Sequence, residues 1–337
     1  MLKRGTILIL LAFFVGLLSG CGGDKKAPEP VKGEFKAQLK LATMTPLSHT
    51  YNQGANKLAE LVKERSKGRI EVKVFSDGQL GKGERELLEA LQQGTIDIYV
   101  GSTAPISNFS PSMGILDIPF LFRAYAHADK VLDGALGVSL LADIEKSGFH
   151  GLAFWENGFR NLTNSKVAVK TPAGAKGMKI RTQENRIHLT AWKIAGVIPV
   201  PMAWGEVYGA LQQKIIDGQE NPIAVIYSAK INEVQKFLSL TQHVYSPAVV
   251  IVSQKKWQGI PKEDQDMLLK TAREVAQFQR KLGREAEEKQ ISELASKGMN
   301  ITKDVDKEAW QKAMQPAFAE FSGQFGKDKI DAILNTK

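Results

Sequence analysis

Alternation of apolar and polar residues in the first third of the chain predicts short β-strands separated by amphipathic helices. Residues 35–42 (FKAQLKLA) and 70–74 (IEVKV) alternate with a period of two, and residues 96–100 (IDIYV) form a third apolar segment. Between these segments, apolar residues at helical spacing predict one helix over residues 51–62 and another over residues 84–93. Strands that alternate with helices in this way indicate an α/β fold with a largely parallel sheet.

One short sequence occurs in two related copies. Residues 90–97 read ALQQGTID and residues 210–217 read ALQQKIID, and each predicts a helix end, a tight turn and the start of a strand. Leu-Gln-Gln is a common helical run, but the Ile-Asp at the same offset indicates one supersecondary unit used in two domains. Ligands of α/β sheets bind beyond the carboxyl ends of strands, so residues 101–103 and 219–221 are predicted to face each other across a cleft.

The remainder of the chain predicts one more apolar strand and a long helix. Residues 248–253 (AVVIVS) form the strand, and a helical pattern runs from Pro261, in the first turn, toward Ser296. Two shorter helices are predicted between Asp304 and the C-terminus. The length of 337 residues, with 43% hydrophobic residues, indicates two folded domains of about 100–200 residues each.

The N-terminus has the pattern of an export signal. Two basic residues precede an apolar segment, residues 7–18, which is shorter than the ~20 apolar residues of a membrane-spanning helix. The sequence LSGC follows and ends at Cys21, the only cysteine, and it resembles the lipobox of bacterial lipoproteins. We therefore predict a signal peptide over residues 1–20, lipidation of Cys21, and a tether over residues 21–34 that is rich in Gly, Pro and charge.

Charge and motif content argue against several classes of function. The formal charge is +9, but basic and acidic residues are interleaved, which is typical of solvated helix faces rather than a nucleic-acid-binding stripe. A mild positive field could still attract an anionic solute. The five histidines are widely spaced, and neither a nucleophile elbow nor a phosphate-binding glycine loop is present. The sequence therefore predicts no metal site, no cofactor and no enzyme activity.

A few polar and aromatic residues could line a binding site. Arg160 follows a predicted strand in the turn-rich segment NGFRNLTN, and Arg181 ends the short strand MKIRT. A guanidinium binds a carboxylate through two parallel hydrogen bonds, although either arginine could instead be a solvated surface side chain. Asn221 could cap a helix with Pro222 at its first position, expose polar groups to a cleft, or do both. Trp204 could belong to the core or form the floor of a ligand site.

Six short motifs occur along the chain in a fixed order: SDGQLG (76–81), DIPFLF (117–122), NGFR (157–160), MKIR (178–181), PMAWGEVYGALQ (201–212) and DGQENP (217–222). In this order and at this spacing they resemble the motifs of the solute-binding proteins of TRAP transporters, the DctP family. The resemblance runs from about Phe35 to the C-terminus. The resemblance implies an α/β fold of two domains, of the periplasmic-binding-protein type II class, hinged by crossing strands and spanned by a long helix. It implies domain I at residues 33–157 plus 247–286 and domain II at residues 158–246 plus 287–337.

The resemblance also implies which residues bind the solute. Arg181 corresponds to the principal carboxylate-binding arginine of the family, and Arg160 corresponds to a second arginine that assists. Asn221 corresponds to a cleft asparagine, and Trp204 to an aromatic residue that packs against the solute. With the contacts implied for the first domain, the predicted binding set is Arg181, Arg160, Asn221, Trp204, Ser102, Met44, Thr43 and Glu220.

The function implied by the resemblance is the capture of a small organic acid outside the cytoplasm and its delivery to a TRAP membrane permease. Some members that bind larger acidic sugars carry Glu at the position of Ser102 and Arg at that of Pro105, and this chain has neither. A dicarboxylate, a keto acid or a hydroxy acid is therefore expected, in a protein of the periplasm or cell surface anchored through Cys21. A sensory subunit that signals to a membrane kinase and a secreted enzyme on the same scaffold remain as alternatives.

Overall fold

The computed structural model describes residues 34–337; the predicted signal peptide, Cys21 and the tether up to residue 33 lie outside the described residues. The strands are β1 Ala37–Ala42, β2 Ile70–Phe75, β3 Ile98–Ser102, β4 Phe149–Asn164, β5 Lys179–Thr182, β6 Ile198–Pro201, β7 Gly218–Pro222, β8 Phe237–Ser239, β9 Tyr245–Ser253 and β10 Asn300–Thr302. The α-helices are α1 Thr50–Arg65, α2 Glu84–Gln93, α3 Tyr125–Leu132, α4 Ala135–Asp143, α5 Pro172–Ala175, α6 Arg186–Ile194, α7 Trp204–Gln212, α8 Ile223–Ser228, α9 Gln254–Gln258, α10 Lys262–Ser296, α11 Lys307–Phe325 and α12 Lys327–Leu334.

The strands form one mixed sheet with a parallel group at each end. Its order is β2-β1-β3-β9-β4-β7-β5-β6, and β8 pairs with the end of β4 and with β10. Strands β1, β2 and β3 are parallel, as are β5, β6 and β7. The antiparallel strands β9 and β4 lie between the two groups and join them. The sheet therefore has two α/β halves, and each half contains a group of three parallel strands. Parallel strands of this kind are what the sequence pattern predicts.

The long strand β4 connects the two halves of the sheet. Its first part pairs with β9 up to Phe159, and its last five residues pair with β7. Our prediction that Arg160 lies in a turn-rich segment beyond a strand is wrong, because β4 continues through an irregularity at Glu156–Gly158, where Gly158 has φ +120°. Nearly every β4 residue is buried, so the strand has no apolar-polar alternation that would reveal it.

The repeated ALQQ sequence has the same structure in both halves. Asp97 accepts a hydrogen bond from the Lys40 backbone N–H at 2.7 Å, and Asp217 accepts one from the Lys179 backbone N–H at 2.8 Å. Each aspartate also donates its own backbone N–H to the carbonyl of the same lysine. Because Lys40 and Lys179 lie at equivalent places in the neighbouring strands β1 and β5, the two copies are one supersecondary unit used twice, as predicted.

Helix α10 packs along both halves of the sheet. Its 35 residues extend over about 52 Å at 1.5 Å per residue, and the helix contacts α1, β4 and α8. Its N-terminal half buries Leu268, Ala272 and Val275 against the first half, and its C-terminal half buries Ile291 and Leu294 against the second. The long helix predicted from Pro261 to Ser296 is confirmed. No helix within residues 34–337 is both long enough and apolar enough to cross a membrane.

Candidate functional site

The strand ends of the two halves enclose a small cavity. It has a volume of about 30 Å³, and its walls include Gly101 and Ser102 at the end of β3, Arg181 in β5 and Asn221 in β7. Carboxyl ends of parallel strands from both halves thus meet at one place, as the positions of residues 101–103 and 219–221 predicted.

Five of the eight predicted binding residues line this cavity, namely Met44, Ser102, Arg181, Trp204 and Asn221. The other three are buried and do not line it. Thr43 donates its hydroxyl to Asn52 Oδ1 at 2.8 Å, and Arg160 and Glu220 bind each other.

For Asn221 and Trp204, the sequence left open whether each has a structural role, a role in the binding site, or both. Helix α8 begins at Ile223 with Pro222 as its N-cap residue, so Asn221 belongs to β7 and does not cap the helix. Its amide N–H donates to Gln219 Oε1 at 2.6 Å. Trp204 packs against the apolar core of both halves and also lines the cavity, so core and cavity wall are not exclusive roles for it.

Arg181 brings a buried positive charge to the cavity. Its side chain is 1% exposed, and its Nε and Nη2 atoms donate to the Met202 carbonyl at 2.9 and 2.7 Å. The Trp204 ring centroid lies 5.5 Å from the guanidinium carbon. Burial lowers the pKa of Arg181 from its ordinary value, partly offset by the field of Glu84. Within residues 34–337, no carboxylate forms a salt bridge with Arg181, and the structure gives its Nη1 atom no hydrogen-bond partner.

Arg160, by contrast, has its charge neutralised within the protein. Its Nε atom donates to Glu220 Oε2 at 2.5 Å, its Nη2 atom donates to Glu220 Oε1 at 2.9 Å, and both side chains are buried. Burial alone would raise the pKa of Glu220, but the charge of Arg160 and a hydrogen bond from His243 hold it well below its usual range. The arginine Nη2 also reaches Asn221 Oδ1 at 3.1 Å, so the pair positions a residue of the cavity wall.

Sequence reasoning missed several residues of the cavity wall, among them Tyr51, Glu84, Tyr99, Asn157 and Gln183. Tyr51 lies on the apolar face of α1 and Tyr99 in an apolar strand, so the pattern assigns both to the core. Asn157 belongs to the motif NGFR, but only the arginine of that motif was considered as a binding residue. Glu84 begins α2, where an acidic residue is also favoured by the helix dipole.

The two halves of the protein contact each other directly around the cavity. Ser102 Oγ donates to Gln183 Oε1 at 3.4 Å, and the Trp204 backbone N–H donates to Glu84 Oε2 at 3.4 Å. Gly83 and Gly205 lie in the same contact, where a Cβ on Gly205 would be 2.6 Å from the Lys82 carbonyl oxygen. The structure therefore has the closed form of a cleft. The described residues, 34–337, contain no group of three or more His, Cys, Asp or Glu side chains that could hold a metal ion.

Two α/β halves, joined by the strands β4 and β9 and by a long helix, with a cavity between their strand ends, define a two-domain binding-protein fold of the type II class. The model of bacterial extracellular solute-binding protein family 7 (DctP) matches residues 41–324, and the chain belongs to this family. The predicted membership of the TRAP-transporter solute-binding proteins and the predicted fold class are confirmed. Proteins of this family are extracytoplasmic solute receptors rather than enzymes.

Three similar proteins illustrate the relationship. The 2,3-diketo-L-gulonate-binding periplasmic protein YiaO of Escherichia coli is 41% identical over 82% of this chain and 84% of its own length. A TRAP periplasmic solute-binding protein from Polaromonas sp. JS666, crystallised with D-erythronate, is 43% identical, with a TM-score of 0.88 over 90% of this chain and 99% of that one. Another from a Bordetella species, with density interpreted as pantoate, is 44% identical, with a TM-score of 0.87 over 90% of this chain and 100% of that one.

Proposed function

We propose that this protein captures a small organic acid in the cavity between its two halves and delivers it to a TRAP membrane permease. The observation that carries the proposal is the buried guanidinium of Arg181, which forms no salt bridge with a carboxylate of residues 34–337. A buried charge without a counter-charge is costly, and an anionic ligand supplies the missing charge. The ligands named for the three similar proteins are all carboxylic acids, which supports the same class of ligand here.

The affinity of such a site follows from a small number of charged hydrogen bonds. Each contributes ~1.5–3 kcal/mol after solvation is counted. Three or four of them, reduced by the costs of desolvation and closure, give a free energy of about −8 kcal/mol, which corresponds to a dissociation constant in the micromolar range. In the open protein the acid meets Arg181 first, and closure then brings Ser102 and Met44 over it and excludes water.

The domain division and the anchor belong to the same proposal. Domain I comprises residues 33–157 plus 247–286, and domain II comprises residues 158–246 plus 287–337. These boundaries cut β4 beside Gly158 and β9 near Pro247, so the two crossing strands act as the hinge; the Glu156–Gly158 irregularity and the extra freedom of glycine there support this location. Lipidated Cys21 anchors the protein to a membrane outside the cytoplasm, where it binds its solute without chemical change and passes it to the permease.

Calorimetry with a panel of small organic acids tests the proposal. Arg181→Ala is expected to abolish measurable binding, and Arg181→Lys is expected to weaken it strongly, because an ammonium retains the charge but not the planar fork. Arg186→Ala is the matched control, since Arg186 is exposed and pairs with Glu320 on the surface. Unaltered binding by both Arg181 variants would refute the proposal, and turnover of the bound acid by the purified protein would favour the enzyme alternative.

A further inference from the structure

Several residues that line the cavity have a buried polar atom without a hydrogen-bond partner. The hydroxyl groups of Tyr51 and Tyr99 and the Oδ1 atom of Asn157 are buried, and the structure gives none of them a hydrogen bond. All three residues line the cavity together with Arg181. Buried polar atoms are nearly always paired, so three unpaired ones in one small cavity indicate groups that a ligand satisfies.

A glycine in β3 makes room for one of these hydroxyl groups. A Cβ on Gly101 would lie 2.1 Å from the Tyr99 hydroxyl oxygen, so only glycine leaves room for the phenol in this position. Burial raises the pKa of both tyrosines, and the charge of Glu84 acts in the same direction. Both phenols are therefore neutral, and each can donate and accept a hydrogen bond.

Glu84 adds a negative charge to the same cavity. It is the first residue of α2 and is half-buried, and its Oε2 atom accepts a hydrogen bond from the Trp204 backbone N–H at 3.4 Å. Within the described part of the chain, residues 34–337, no lysine, arginine or histidine forms a salt bridge with Glu84. The cavity thus contains a cation, Arg181, and an anion, Glu84, which interact through their fields but form no salt bridge with each other or with another residue of the described chain.

These groups have different requirements of a ligand. Arg181 needs a carboxylate, whereas Glu84 and Asn157 Oδ1 need hydrogen-bond donors, which ligand hydroxyl groups supply. A second carboxylate on the ligand would bring like charges together near Glu84, in a site that excludes water and so strengthens the repulsion. An unsubstituted hydrocarbon chain would leave the buried oxygens of Tyr51 and Tyr99 unpaired.

We infer that Tyr51, Glu84, Tyr99 and Asn157 form a hydroxyl-binding subsite, and that the solute is a short polyhydroxylated monocarboxylate rather than a dicarboxylate. The inference rests on the proposed function and narrows its ligand class. The sequence left a dicarboxylate, a keto acid and a hydroxy acid as possible solutes, and the inference selects the hydroxy acid. It assigns the discrimination against a dicarboxylate to the charge of Glu84.

Calorimetry with three four-carbon acids tests the inference: D-erythronate, succinate and butyrate. The wild-type protein is expected to bind D-erythronate at least about tenfold more tightly than either of the others, because they leave buried polar groups unpaired or add a charge. Glu84→Gln removes the charge at constant size and is expected to shift the succinate-to-erythronate affinity ratio about tenfold toward succinate. Tyr51→Phe and Tyr99→Phe are each expected to narrow the preference for D-erythronate over butyrate.

Tyr208→Phe is the matched control, since its hydroxyl binds Glu233 on the protein surface, away from the cavity. Tighter binding of succinate than of D-erythronate by the wild type would overturn the inference, and so would an unchanged affinity ratio in Glu84→Gln. Either result leaves the proposed function standing if binding still requires Arg181. Thermal unfolding of each variant without ligand separates loss of the fold from loss of the subsite.

Discussion

Arg160 and Glu220 form a buried ion pair across the neighbouring strands β4 and β7, with 2.5 Å between the arginine Nε and the glutamate Oε2 atoms. Glu220 Oε2 also lies 3.1 Å from His243 Nε2. Burial lowers the pKa of His243, partly offset by Glu220, so the imidazole is neutral at pH 7 and Glu220 is the charge that compensates Arg160. Of the two buried arginines near the cavity, Arg160 thus has its counter-charge within the protein. Arg181 has none of this kind and is free to bind an external anion.

Removing the negative charge from this pair should destabilise the protein. Glu220→Gln leaves the buried guanidinium of Arg160 without its counter-charge, and a loss of ~3–5 kcal/mol in the free energy of unfolding is expected at pH 7. The pKa of Glu220 is lower in the folded protein than its ordinary value of 4.5, so the contribution of Glu220 is fully present above pH 4.5 and declines as the pH falls below it. Urea unfolding at pH 7 and pH 3 measures both effects.

The exposed pair of Arg186 and Glu320 supplies the control for that experiment. Glu320→Gln should leave stability unchanged within error, because a solvent-exposed ion pair contributes little. A wild-type stability for Glu220→Gln at pH 7 would contradict the assignment of Glu220 as the counter-charge of Arg160.

Asp117 should make the protein less stable as the pH rises. Burial raises its pKa from 3.8 to about 8, although Arg160 and a 2.8 Å hydrogen bond from Asn185 act in the opposite direction. Its stabilising contribution is fully present below pH 3.8 and is lost as the pH rises to about 8, by at most about 1.4 kcal/mol per pH unit. Asp117→Asn cannot ionise, so its unfolding free energy should fall less between pH 5 and pH 8 than that of the wild type.

Urea unfolding at several pH values between 5 and 8 checks this difference. Asp266→Asn is the control, because Asp266 is exposed and pairs with Lys262 within α10. It should follow the wild-type curve. Parallel curves for Asp117→Asn and the wild type would show that Asp117 does not titrate in this range.

The features of the fold that could be predicted from sequence are those that depend on local pattern. The period of two gives β1 and β2, and the period of 3.6 gives α1 and α10. The repeated Ile-Asp predicted that Asp97 and Asp217 occupy equivalent positions. In both copies the aspartate accepts a hydrogen bond from the backbone of a lysine in the neighbouring strand.

The features that escaped prediction depend on the surroundings of a residue. The continuation of β4 through Arg160 was missed because its side chains are buried on both faces, so no apolar-polar alternation marks the strand in the sequence. The cavity role of Tyr51 was missed because a phenol at a helical core position packs its ring in the same way whether or not its hydroxyl reaches a cavity. The role of Glu220 depends on a partner 60 positions away in sequence.

The lipid anchor can be tested in a bacterial expression host. We expect the protein to incorporate a labelled fatty acid and to fractionate with membranes. Cys21→Ser should abolish both properties, because it removes the thiol to which we predict the lipid is attached. Solute binding by a soluble protein that begins after the tether should match that of the full chain. Fatty-acid labelling that persists in Cys21→Ser would contradict the assignment of the anchor.

In the closed cleft, Gly205, near the start of α7, lies very close to the backbone of the other half. A Cβ at this position would lie 2.6 Å from the Lys82 carbonyl oxygen, and the opposing backbone cannot move aside as a flexible side chain could. Gly205→Ala should therefore hold the two halves apart and weaken solute binding about tenfold, a cost of about 1.4 kcal/mol, without lowering stability in the absence of solute.

Gly209→Ala, in the same helix, is the control for this effect, because no atom beyond its chain neighbours and the adjacent helix backbone lies within 4 Å of the added Cβ. Calorimetry should give Gly209→Ala the affinity of the wild type, and small-angle X-ray scattering should show that solute compacts the wild type and Gly209→Ala more than Gly205→Ala. Equal affinity and equal compaction in all three proteins would mean that the contact of residues 82–84 with residues 203–205 is not required for closure. A loss of affinity in Gly205→Ala alone would show that binding energy is used to bring these two backbones together.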